Sequence, residues 1–405
     1  MKAMLVLLLI GSFCWLFALG WYMTSTRRRI AILVRSAEEF SDRGLFVDAA
    51  ENYDAAASLA HACGDFIREM ECLCKLGHSE FSASRRREAQ KHYETCRKIA
   101  VDLKNEKHQG DAEIGLGNLA WFEGKIDLAR QDYQDALRGF EGTNDIEGEA
   151  DAHAGLGKLE EEYLKNDAAR LDLTSALDLY AKTKSIRGRV ETLIAMGRLE
   201  RTTGNYDAAR NCYTEAEQLS QQNRYRLQEA NAVLFLAELE SVLNHPPAAH
   251  DGFGKALGMY QAMGNRVGEG NAQRMIGDLD VSEKNYDVAI QHYNEALSSY
   301  ESQNNLVGIG AANAGLGIVN GTYGRHDVAH AYFMKAREAF QKADDVRGEA
   351  NVDLFDGEAF AYMGNAGAAR EMFHRSESLY GRLGMNSMVA QVRTEEERRL
   401  GAGPQ

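Results

Sequence analysis

Residues 197–216 read GRLERTTGNYDAARNCYTEA, and the spacing inside this stretch decides the fold. Gly197 is followed by Ala209 at +12, Tyr213 at +16 and Ala216 at +19. Offsets of four and three place Ala209, Tyr213 and Ala216 on one helical face, in the order small, large, small. A small residue lets a neighbouring helix approach closely, and the ring fills the gap beyond it. Gly197 then belongs to an earlier helix, joined to this one through GNYD at 204–207.

The same spacing recurs along the chain. Alanine stands at 49, 89, 129, 169, 209, 249, 289, 329 and 369, nine times at intervals of forty. Four positions later comes Tyr, Phe or once Leu (Leu173), and three further on a small residue such as Ala136, Ala176 or Ser376. Twelve residues before seven of these alanines lies a glycine, among them Gly77, Gly117, Gly277 and Gly357; Ala37 and Ala237 take the other two places. Two helices per forty residues make a helix-turn-helix unit, so the chain reads as an all-α solenoid. Composition agrees: three prolines in 405 residues leave long helices uninterrupted. A net charge of −14 argues against general nucleic-acid binding, which needs a surplus of Lys and Arg on some face.

Before the first unit, residues 3–26 carry no charge, and Met4 to Met23 form an apolar stretch of 20 residues. At ~1.5 Å per residue this spans the ~30 Å hydrocarbon core of a bilayer. The run ends in Trp21-Tyr22-Met23, of the kind that sits at headgroup level, and a cleavable signal would carry small residues there. Arg27, Arg28, Arg29 and Arg35 follow, against Lys2 alone on the other side. The predicted arrangement is an anchor at 1–29 inserted in the lipid bilayer through residues 4–23, with the solenoid on the cytoplasmic face. The solenoid is predicted over 30–383, and a capping helix with a polar tail over 384–405.

The pattern of Gly, Ala at +12, Tyr or Phe at +16 and Ala at +19 resembles the tetratricopeptide repeat, in a forty-residue variety with Gly-Glu-Ala-type starts such as Gly148-Glu149-Ala150. The resemblance implies a right-handed α-solenoid of about nine units. It further implies that the first helix of each unit lines a concave groove. One lining position, directly after the repeat glycine, then holds Asn118, Lys158 and Arg198, and the next places hold Trp121, Phe122 and Arg201. Asn231 and Arg274 extend this wall. An aromatic platform beside three cations suits an extended peptide bearing carboxylates. The competing reading is that Lys158 and Arg198 neutralise Glu161, Glu162, Glu191 and Glu200 close by. The layout of anchor, arginines and repeat array is also similar to the family of lipopolysaccharide assembly protein B. That family ends in a rubredoxin-type domain with two C-x-x-C pairs, whereas this chain has no cysteine after Cys212.

No constellation for catalysis or metal binding emerges. Cys72 and Cys74 face apart on a helix, and Cys96 occupies a place that other units give to Ala or Ser. The cysteines are expected to be free thiols in a reducing compartment. His326 and His330 lack a third ligand, and the Gly-x-Gly pairs at 115–117, 155–157 and 315–317 recur with the repeat as packing glycines. Arg85-Arg86-Arg87 reads as a solvated corner between helices. These readings predict a non-enzymatic adaptor or scaffold with a protein or peptide partner, no cofactor and no metal. The alternative is a regulator that delivers a membrane enzyme to a protease or assembly complex.

Overall fold

A computed structural model describes residues 24–163 and 165–401, and every regular element among them is a helix. Helix α1 covers 24–42 of the described residues. It is followed by α2 (Phe46–Ala62), α3 (Phe66–Ser82), α4 (Arg86–Asp102), α5 (Glu106–Phe122), α6 (Ile126–Thr143), α7 (Ile146–Glu162), α8 (Asn166–Thr183) and α9 (Ile186–Thr202). Then come α10 (Tyr206–Asn223), α11 (Arg226–Val242), α12 (Pro246–Met263), α13 (Arg266–Ser282), α14 (Tyr286–Ser302), α15 (Leu306–Thr322), α16 (His326–Lys342), α17 (Val346–Tyr362), α18 (Ala366–Arg382) and α19 (Asn386–Leu400). From α2 onward a helix begins every twenty residues.

Among the described residues, the helices stop at a residue in the left-handed region. Gly204 has φ +81°, Asn144 +55°, Lys184 +60° and Gly264 +72°, and these too recur at twenty-residue steps. The next residue but one opens the following helix, often behind an Asp or Asn cap. Asn265 accepts from the Gly268 N–H at 2.9 Å, and Asp345 from the Gly348 N–H at 2.9 Å. Each satisfies one of the unpaired N–H groups of a helix start.

Packing follows the predicted small–large–small face. Ala129, Ala169, Ala209 and Ala249 have no exposed surface, and Tyr133 and Tyr213 are equally buried. The rings lie flat on the repeat glycines: a Cβ at Gly117 would come within 2.9 Å of the Tyr133 ring, and one at Gly357 within 2.9 Å of Phe373. Even helices pack beside both odd neighbours, and each odd helix from α3 also touches the next odd one. The odd helices therefore form the inner layer. Helix α19 lies within the segment 384–405 expected to hold a capping helix, and it covers the last unit through Val392.

Three features differ from expectation. Arg27, Arg28 and Arg29 lie inside α1 rather than ahead of the first helix, and Arg27 pairs with Asp65 at 3.6 Å. Cys74 and Cys96 are joined by a disulfide, so they are not free thiols. They face each other across the α3–α4 hairpin with Cα atoms 5.7 Å apart, a proximity that linear spacing hides. Cys72 remains a buried thiol. The third feature is the corner at Arg85–Arg87, which is not solvated at Arg86. That side chain is buried, donates to the carbonyl of Ala343, and its guanidinium lies 3.9 Å over the Phe122 ring.

The reason is that the solenoid winds back onto itself. Arg43 Nη2 donates to Met263 O at 3.0 Å, and Arg187 pairs with Asp42. Phe46 packs into the core of α11–α13, and Gly124 lies against Leu383. Loops within units one to three thus sit on loops that close units six, eight and nine, forming a seam between successive turns. No helix among the described residues is long and apolar enough to cross a membrane. The predicted anchor at 4–23 lies outside the described residues.

Candidate peptide-binding groove

Helical geometry identifies the inner surface. In α13, Gly268 faces the ring of Tyr260 behind it, while Gly270 and Gly277 face Tyr300 and Tyr293 of the same unit. At 100° per residue, the opposite side of that helix carries Asn271, Arg274 and Asp278. The same three positions recur at forty-residue steps as 111, 114, 118; 151, 154, 158; and 191, 194, 198. Asn118, Lys158, Arg198, Asn231 and Arg274 therefore all lie on the concave side. Trp121, Phe122 and Arg201 stand at its border.

Most of these side chains are held by neighbours. Asn118 Oδ1 accepts from the Tyr133 hydroxyl at 2.6 Å, and Asn231 Oδ1 from Tyr260 at 2.6 Å. Arg198 Nη2 donates to Glu161 Oε2 at 2.7 Å, Arg201 lies 3.4 Å from Glu238, and Arg274 lies 2.6 Å from Asp278. Of the carboxylates weighed as neutralising partners, Glu161 holds Arg198, whereas Glu200 belongs to Arg170 at 2.7 Å. Trp121 packs against the cluster of Ala120, Tyr133 and Leu159, and Phe122 is edge-on to Phe81 at 5.8 Å beneath Arg86. The structure brings Asn118, Lys158 and Arg198 into one row. It does not gather all eight predicted residues into one pocket.

A second row, of which the sequence reading named only Asn231, runs beside the first. Asp151, Asn231, Asn271 and Asn351 each accept from a tyrosine hydroxyl twenty-nine residues on, those of Tyr180, Tyr260, Tyr300 and Tyr380. Where the partner is Phe340 the concave residue is Ala311, although Asp111 is kept opposite Phe140. That covariation along the repeat was the available signal. Because Oδ1 is the atom that accepts from tyrosine, the amide N–H groups of the three asparagines take no part in that bond.

His78 on α3 retains solvent contact yet is surrounded by protein: desolvation lowers its pKa, Glu191 on α9 opposes this, and Lys158 and Arg187 reinforce it. Desolvation pushes the Asp111 carboxyl up to about 7 against the pull of Lys107, and the Asp151 carboxyl up to about 6 against its bond from Tyr180. Among the other histidines, His330 pairs with Asp356 at 2.7 Å and His326 stacks on Tyr362 at 4.7 Å, so the two do not converge.

Residues 190–223 match the family described as Tetratricopeptide repeat. No curated protein matches the sequence. Among solved structures, the fold is similar to that of a Rap protein complexed with Competence and Sporulation Factor, at 14% identity and TM-score 0.58, over 86% of this chain and 99% of that one. It is similar also to the Rap conjugation gene regulator of the plasmid pLS20 in complex with a Phr peptide, at 11% identity and TM-score 0.55, over 78% and 95%. The apo form of RapI follows at 14% identity and TM-score 0.50, over 68% and 99%. Residues 190–223 thus carry a tetratricopeptide repeat, and the described chain has the fold of a tetratricopeptide-type solenoid.

Proposed function

We infer that the chain is a membrane-anchored, non-enzymatic adaptor whose concave face takes an extended segment of a protein partner. The observation that carries this reading is the row of Asn231, Asn271 and Asn351, three amides fixed at one register and spaced along the groove. Such amides can donate to successive carbonyls of an extended backbone whatever its side chains. Acidic side chains on that segment would compete with Glu161 for Arg198 and with Glu238 for Arg201, which sets a preference for a carboxylate-bearing peptide. Similarly folded Rap proteins, one complexed with Competence and Sporulation Factor and one with a Phr peptide, at 11–14% identity, lend the reading a structural parallel. Anchoring through residues 4–23 and a cytoplasmic solenoid rest on the sequence alone.

A photo-reactive residue in place of Asn271 tests this in the native cell, with the same residue in place of exposed Lys98 on α4 as comparison. The expected result is a discrete crosslinked partner from position 271 and none from 98. Adducts from position 98 alone would place the partner on the outer surface and sink the groove reading.

A further inference from the structure

Three unit boundaries share one ion pair. Arg130 lies 3.0 Å from Glu160, Arg170 2.7 Å from Glu200, and Arg210 pairs with Glu240. Each arginine sits on an even helix and each glutamate thirty residues later, near the end of the next odd helix. A guanidinium stays charged at any accessible pH, so it neutralises its largely buried carboxylate permanently. One boundary further on, the same two places hold His250 and Asp280.

The substitution leaves Asp280 in an unusual position. Its side chain is only 5% exposed, and Oδ2 has no hydrogen-bond partner. Around it stand His250 with Nε2 4.0 Å from Oδ1, His292 with Nε2 3.6 Å from Oδ2, and Glu283, whose Oε2 is 2.9 Å from His250 Nε2. His292 Nδ1 lies 2.7 Å from Gln273 Oε1, so an Nδ1–H donated there leaves the Nε2 lone pair turned toward Asp280. An imidazole is not a permanent cation, so Asp280 and Glu283 stand together without the guanidinium that the three preceding boundaries supply. Asp356 makes the contrast: it also faces an imidazole, that of His330 at 2.7 Å, but Arg337 stands 2.8 Å away and supplies the charge. Buried anions of this kind need a counter-charge.

We propose that His250, Asp280 and Glu283 bind one divalent transition-metal ion of the zinc class, with His292 placed to join as a fourth ligand. The candidate ligand atoms of the first three all lie within 4.8 Å of one another. Donors held about 2.0–2.2 Å from a common ion stand roughly 3–3.5 Å apart, so small side-chain rotations close the site. Imidazole donors favour zinc over calcium or magnesium, which prefer all-oxygen cages. Because the ligands come from α12, α13 and α14, the ion would tie units six and seven together.

The test uses the full-length chain in detergent, stripped with a chelator and titrated with zinc chloride against a competing chromophoric chelator. One ion per chain is expected, with a cobalt(II) visible spectrum on substitution. His250→Ala and Asp280→Asn should each weaken binding about 10–100-fold, while His374→Ala on exposed α18 leaves it unchanged. Glu283→Gln, at a partly exposed helix end, keeps the comparison open should Asp280→Asn fail to fold. Absence of one-to-one binding, or unchanged affinity in His250→Ala and Glu283→Gln, overturns the proposal.

Discussion

Arg86 donates to the carbonyl of Ala343 across 257 residues of chain, and its guanidinium covers the ring of Phe122. Burial lowers its pKa while Asp345, Asp344 and Glu123 oppose the change, so the charge is kept by its acidic surroundings. Arg86→Met should keep the apolar contact but lose a charged hydrogen bond, costing about 1.5–3 kcal/mol. Arg86→Glu should go further and open the seam. A larger radius of gyration by small-angle scattering is expected for Arg86→Glu; an unchanged radius would mean the turns are held elsewhere.

Ala209 is fully buried where α10 crosses α9. Ala209→Leu should overpack this crossing and cost ~1–3 kcal/mol. Hydrogen exchange should show protection lost chiefly in α9–α12, because solenoid units transmit damage to neighbours first. Equal loss from α3 to α18 would show that the units do not respond locally.

The Asp111 carboxyl is raised from 3.8 to about 7 by desolvation. Its neutral form is the one the folded state favours, so its contribution to stability is complete below pH about 4 and is lost as pH rises through about 7. Asp111→Asn removes the penalty. The variant should melt above the parent at pH 8, and the gap should shrink steadily toward pH 5. A gap that does not vary with pH would assign the effect to packing.

The disulfide between Cys74 and Cys96 closes a sequence separation of 22. Reduction should lower stability by about 2–4 kcal/mol, read as a drop in melting temperature absent from a Cys74→Ala, Cys96→Ala double variant. If the solenoid is cytoplasmic, alkylation of intact cells should trap both as thiols, with the bond forming after lysis. Trapping the bond already formed in cells would place the solenoid in an oxidising compartment and overturn the orientation drawn from the arginines.

Ala129, Tyr133 and Gly117 were legible from sequence because the same three atoms' worth of space recurs in every unit, and recurrence amplifies a weak local signal. The concave row of Asn118, Lys158 and Arg198 was legible for the same reason, since helical phase alone selects it. Their partners were not: Glu161 lies 37 positions before Arg198, and only the stacking of α7 on α9 brings the two together. Arg86 misled because its burial depends on the small rotation added at each unit and summed over six of them, which no local spacing encodes. His250 carries no ligand spacing along the chain and is distinguished only by sharing a column with Arg130, Arg170 and Arg210.

The seam also has a kinetic meaning. Each helical hairpin joins residues close in sequence and can form early, with little chain entropy lost. Contacts such as Arg43 with Met263, 220 residues apart, require most of the array to be in place first. Assembly should therefore proceed as a fast, local winding followed by a slow locking of one turn onto the next. A chain emerging from its N terminus would hold the loops of units one to three uncovered until units six to nine had been made, which leaves the newborn protein open along one edge for most of its synthesis.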